Sequence, residues 1–116
     1  MLPQKPMPFP TVDDDGATVT LDLHGATLRE AERLLKRCLR LAAARGRGTL
    51  RIIHGTSTAE KDPHRPTIKS LVTKILADEE TADYIRGHFP FEGHTTVSLI
   101  PGAEDSRAPI RMTELN

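Results

Sequence analysis

From Thr18 to Leu23 apolar and polar residues alternate, which predicts a strand with Val19, Leu21 and Leu23 on one face and Thr20 and Asp22 on the other. The period then changes. Leu28, Ala31, Leu34, Leu35, Cys38, Leu39 and Ala42 recur every three or four residues and form the buried stripe of a helix. Thr27-Leu28-Arg29-Glu30 offers a capping box at its start, and Gly46 a left-handed cap at its end. Thr49–Ile53 predicts a second strand. Ile68, Leu71, Val72, Ile75 and Leu76 mark a second amphipathic helix running to about Glu79, and Thr81–Arg86 and Thr95–Ile100 predict two further strands. His88–His94 is expected to be the turn between them.

This order is βαβαββ, an α/β two-layer sandwich with a four-stranded mixed sheet and two helices. A strand, helix and strand with short joints are expected to pair in parallel with a right-handed crossover. The carboxyl ends of the first two strands then share one edge of the sheet, where open α/β folds place their chemistry. On this reading His24 and His54 face the same region.

The flanks differ in composition. Residues 1–17 read as a proline-rich arm, with Pro3, Pro6, Pro8 and Pro10 followed by the turn-prone run Asp13-Asp14-Asp15-Gly16. Residues 18–101 read as the folded domain, residues 102–116 as a polar, loose tail, and Thr56–Pro66 as an exposed loop. No apolar run approaches the roughly 20 residues that span a bilayer, and Met1–Pro10 lacks the continuous apolar segment of a secretory signal. A single cysteine, Cys38, fits a buried thiol in a reduced, cytoplasmic setting with no membrane partner. The net charge is zero, yet Thr27–His54 holds eight Lys or Arg against two Glu, while residues 1–26 hold one Lys against four Asp. Such separation can build a basic surface on a neutral protein, or simply a solvated helix face.

The candidate chemistry sits where the first strand ends. Asp22 and His24 lie roughly 6–7 Å apart along the strand, just before Gly25 permits a tight turn. They could act on a substrate, or could instead cap backbone N–H groups at the helix start. His54 is either a third site residue or a turn former. Asp22, His24, His54 and His94 could converge on a divalent metal, but no tight ligand pair such as His-x₃-His or Cys-x₂-Cys indicates one, so the cofactor stays unknown. Phe89 and Phe91 are the aromatic pair of an aromatic-poor chain; they stack on unpaired bases or fold back onto the core.

The Leu21-Asp22-Leu23-His24-Gly25 box, the His54-Gly55 pair after the second strand and Gly93 before the last strand resemble the Smr (small MutS-related) domain family, over about residues 18–101. That resemblance implies a fold similar to the C-terminal domain of bacterial translation initiation factor three. It also implies endonuclease activity on RNA or DNA, in some members on ribosome-bound messenger RNA. Asp22 and His24 would then be the residues tied to cleavage. Two imidazoles on one rim, His24 and His54, could serve as base and acid, with RNA favoured because its own 2′-hydroxyl can attack. Asp22 could orient His24, hold a substrate hydroxyl or hold a metal-bound water. Gly25, Gly55 and Gly93 would admit the sugar–phosphate chain, and Arg51, Thr56, Ser57, Lys61 and Arg65 would contact it. The family's second motif usually carries another glycine two positions after Gly55, where this chain has Ser57. A non-catalytic ribosome- or nucleic-acid-binding module is the alternative, and a protein-interaction domain the third reading.

Overall fold

The computed structural model describes residues 10–55, 67–102, 104 and 106–116. Five strands, β1 (Thr11–Asp14), β2 (Thr18–Asp22), β3 (Thr49–Ile53), β4 (Ile85–Pro90) and β5 (His94–Leu99), form one mixed sheet in the order β1-β2-β3-β5-β4. Three helices accompany it: α1 (Leu28–Ala44), α2 (Ile68–Leu76) and the short α3 (Met112–Leu115). The α/β class is as expected. β2 and β3 run parallel, pairing Thr18 with Thr49 and Asp22 with Ile53, and β5 lies antiparallel to β3.

One face of the sheet carries the core. Val19, Leu21, Leu23, Leu50, Ile52, Val97 and Leu99 are buried against Ala31, Leu34, Leu35, Cys38, Leu39 and Ala42 of α1 and Val72, Ile75 and Leu76 of α2. Burial pushes the Cys38 thiol up to about 12, so it stays protonated in the core. Leu28, expected in the buried stripe, is instead exposed in the first turn of α1. That turn is held by the capping box, with Thr27 and Glu30 each accepting from the other's backbone N–H at 3.1 Å. The helix ends in a Schellman turn, where Gly46 N–H donates to Ala43 O and Arg47 N–H to Ala42 O.

The opposite face of the sheet is different. Paired register aligns Asp13, Thr20, Arg51, Thr96 and Phe89 in one cross-strand row, and Thr11, Asp22, Ile53 and His94 in the next. Among the described residues none on this face is fully buried.

Four expectations are corrected. The sheet has five strands rather than four, because Thr11–Asp14 pairs antiparallel with β2 instead of belonging to a loose arm. The prolines stop at Pro10 and leave these amides able to bond. Thr81–Arg86 is not the third strand: Glu79–Tyr84 forms a 3₁₀ turn and β4 begins at Ile85. Asp78 caps that turn at Glu80 N–H, and the buried Thr81 hydroxyl donates to Ile75 O at 2.7 Å, which ends α2 early. Pro90 is then accommodated because β4 is an edge strand, where a missing N–H disrupts no ladder. Finally, the tail is not wholly loose. Ile110 and Leu115 are buried, and Arg37 donates to the carbonyls of Leu115 and Asn116.

The tail and the β1–β2 hairpin are joined by an ion pair. Arg47, 2% exposed, donates from Nε and Nη2 to both oxygens of the buried Asp14 carboxylate, at 2.8 and 3.0 Å. Its remaining donors reach Arg45 O, Ser106 O and Ala108 O, while Asp14 also accepts from Ile110 N–H.

Candidate active site at the carboxyl rim

β2 and β3 end side by side, and Leu23 N–H extends their ladder to Ile53 O at 2.8 Å. The chain then turns at Gly25, whose φ of +85° is a left-handed conformation that a side chain at this position would strain. This turn presents His24 outward with its ring half exposed. His24 Nδ1 lies 2.5 Å from Asp22 Oδ1, and the same carboxylate oxygen accepts His24 N–H at 3.1 Å. A carboxylate on Nδ1 holds the proton there and leaves Nε2 as the basic nitrogen. The helix start does not need either residue, because Thr27 and Glu30 already cap it.

His54 is placed differently. It was expected to share the open lip with His24; instead it is 5% exposed. Its Nδ1 lies 2.9 Å from Gly55 O and its Nε2 3.0 Å from Thr95 Oγ1. The carbonyl can only accept, so Nδ1 donates and Nε2 accepts from the threonine hydroxyl. The physical reason for the difference is strand alternation: Leu50 and Ile52 face the core, and the next residue in that series is His54. Thr95 follows the same rule, preceding the buried Val97 and Leu99. Sequence reasoning missed Thr95, although a polar residue in an apolar series already implies a partner on the facing strand.

Burial holds the His54 imidazole below its ordinary pKa, against the opposing bond to Gly55 O; Lys69 and His94 add charge repulsion in the same direction as burial. The unfolded chain therefore binds a proton at this side chain more readily than the folded one. Stability is expected to be complete above about pH 6.5 and to fall as pH drops from there toward the lower folded value. Urea midpoints at pH 7.5 and pH 5.5 test this, and His54→Gln should lose part of the difference.

The remaining candidates divide. Gly55, φ +81°, packs against His24, with its missing Cβ position 3.5 Å from His24 Cβ. The N–H groups of His54 and Gly55 both donate to Gly93 O, at 3.1 and 3.0 Å, so both amides are hydrogen-bonded within the protein. Arg51 is exposed on the open sheet face, one row from Asp22. Thr56, Ser57, Lys61 and Arg65 lie outside the described residues. His94 pairs with Ile53 across the rim, and its ring stacks on Phe91 at 4.7 Å between centroids. No group of three or more His, Cys, Asp or Glu among the described residues is arranged to hold a metal. A cleft of about 520 Å³ opens at the opposite end of the sheet, but the Arg47 side chain lining it is engaged with Asp14 and the tail.

A mixed sheet with helices on one face, and a carboxylate–imidazole pair at the carboxyl rim, define an α/β domain with an acid and an imidazole in contact at an open edge. A family model described as Smr domain matches residues 21–102, and the chain belongs to that family. Smr domains are generally nucleic-acid-binding and nuclease-like. Neither the curated proteins nor the solved structures compared with the chain contain a match. No helix among the described residues is long and apolar enough to cross a membrane.

Proposed function

We propose that this domain is an endonuclease acting on RNA at the carboxyl rim, with Asp22 and His24 as its catalytic pair. The observation that carries the reading is the 2.5 Å contact between His24 Nδ1 and Asp22 Oδ1 on a ring that remains half exposed. A base whose tautomer is held by a carboxylate, with its second nitrogen toward solvent, is suited to remove a proton from a substrate hydroxyl. In RNA that hydroxyl is the 2′-OH. Its proton passes to His24 Nε2, the 2′-oxygen bonds to the adjacent phosphorus, and the bond from phosphorus to the 5′-oxygen breaks. The products are a 2′,3′-cyclic phosphate and a 5′-hydroxyl end, the latter protonated by the imidazolium or by water. Arg51 on the neighbouring row supplies positive charge toward the backbone. His54 serves as a positioning residue that holds Gly55 and the start of β5 against the rim, in place of the direct role expected for it.

The test compares cleavage of one labelled RNA, and of its deoxy counterpart, by wild type, Asp22→Asn and His24→Ala, each with and without EDTA. Loss of cleavage in both variants supports the reading, and equal activity in all three proteins overturns it. Loss on EDTA treatment would move Asp22 to the role of holding a metal-bound water. The second reading is a non-catalytic binding module, favoured by the two rim amides spent on Gly93. It predicts salt-sensitive RNA binding that Asp22→Asn leaves unchanged.

A further inference from the structure

Phe89 and Phe91 are 56% and 51% exposed, so neither folds back onto the core. Both follow from the local backbone. Phe89 lies opposite Thr96, on the sheet face away from the helices, and its ring tip reaches 3.9 Å from the position a Gly87 Cβ would occupy. The ring thus lies along β4 over Gly87. Phe91 N–H bonds to His94 O at 2.8 Å, closing the β4–β5 turn, and the Phe91 and His94 rings stack with 18° between their planes. In the row that ends at Phe89, Thr96 and then Arg51 come next; Arg51 is exposed, and Arg86 is exposed at the β4 bulge.

We infer that this open sheet face is a stacking platform for single-stranded RNA, with Phe89 and the Phe91–His94 pair each receiving an unpaired base and Arg51 pairing with the connecting phosphates. Large exposed rings are disfavoured in water unless something covers them, and a flat ring has the shape and chemistry of a base partner. Arg51 supplies charge of the sign the phosphates require. The platform is continuous with the rim: Asp22, Ile53 and His94 are consecutive across three strands, which puts His94 roughly 10 Å from Asp22. A few linked nucleotides cover that span. Paired bases present no free ring face, so a duplex cannot use the platform. This inference rests on the nucleic-acid reading above and names the form of substrate that reading left open.

The test is fluorescence anisotropy with a labelled 12-nucleotide single-stranded RNA, the same RNA annealed to its complement, and the equivalent single-stranded DNA. The proteins are wild type, Phe89→Leu, Phe91→Leu, the double variant, Phe89→Tyr and Arg51→Gln. Each leucine variant is expected to weaken single-strand binding about tenfold, and the double variant more, because one stacked base is worth roughly a factor of ten. Phe89→Tyr should bind as wild type does, and duplex affinity should not change among the phenylalanine variants. Arg51→Gln should reduce the salt dependence. Unchanged single-strand affinity in the double variant overturns the platform, and so does equal loss on duplex. Equal affinity for DNA overturns its assignment to RNA. A dimer of wild type that the double variant dissolves, seen by light scattering, would assign the patch to self-association and overturn it as well. Aromatic-dependent binding without cleavage would uphold the platform and reject the nuclease, whereas cleavage with a KM indifferent to both phenylalanines would do the reverse.

Discussion

Replacing His24 with alanine is expected to lower RNA cleavage by roughly 10²–10⁴-fold, the usual contribution of a positioned acid–base group. His24→Gln should be as inactive, because an amide can accept the substrate hydroxyl's hydrogen bond yet cannot take its proton. Asp22→Asn keeps an acceptor for His24 N–H and removes the charge that holds the ring, so its loss should be smaller and confined to turnover. Neither residue is buried in the core, and α1 is capped independently of both. Stability should therefore change by no more than about 0.5 kcal/mol, as for most surface substitutions. Single-turnover cleavage beside a urea titration separates the two effects. A His24→Ala protein that is well folded and fully active would remove the acid–base role.

The largest effect on stability is expected at Asp14. Its carboxylate accepts from two nitrogens of Arg47, and Arg47 is almost wholly enclosed. Asp14→Ala breaks a buried two-point ion pair and takes the acceptor from Ile110 N–H, and should cost about 3–5 kcal/mol, against a typical total of about 5–15 kcal/mol. The loss reaches three parts of the chain, because the pair ties the β1–β2 hairpin to the turn that follows α1 and to the C-terminal segment. Replacing both residues together, Asp14→Leu with Arg47→Met, should recover part of it, since both charges of the pair leave the interior while the Ser106 and Ala108 carbonyls lose their donor. Burial alone would raise the Asp14 carboxyl, but the bonds from Arg47, Gly16 N–H and Ile110 N–H outweigh it and hold the group below its ordinary value. The folded state therefore binds this proton less readily than the unfolded chain. The stabilisation is complete above the ordinary carboxylate value and disappears as pH falls through the lower folded one. Acid titration of wild type and of the double replacement, followed by urea midpoints, should show that contribution in the first and not in the second.

Several features could be read from short stretches of the chain because their causes are local. The capping box of Thr27 and Glu30, the α1 stripe and the alternation of β2 all arise from neighbours within four residues. The parallel pairing of β2 and β3 followed from the short joints around α1, and with it the position of Asp22 and His24 at the carboxyl rim. Other features depend on segments far apart. Thr11–Asp14 is a four-residue stretch with two aspartates, and it becomes a strand through pairing with β2 and through Arg47, thirty-three residues beyond Asp14. Ile110 and Leu115 are isolated apolar residues with no period to announce them, yet both are buried.

His54 lies between these cases. The alternation through Leu50 and Ile52 already assigned its face, but the shared rim suggested a site with His24. Only the tertiary structure shows the contact with Thr95, which leaves a buried imidazole with both nitrogens bonded. The exposure of Phe89 and Phe91 was likewise a tertiary outcome: no sequence period tells whether a turn aromatic finds space in the core or is left outside. By itself the sequence determined the local periods, the central strand–helix–strand unit and the acid–imidazole pair, all set by interactions along the backbone. Which side chains meet across the sheet was decided only by tertiary packing, because those contacts join residues that backbone geometry does not bring together.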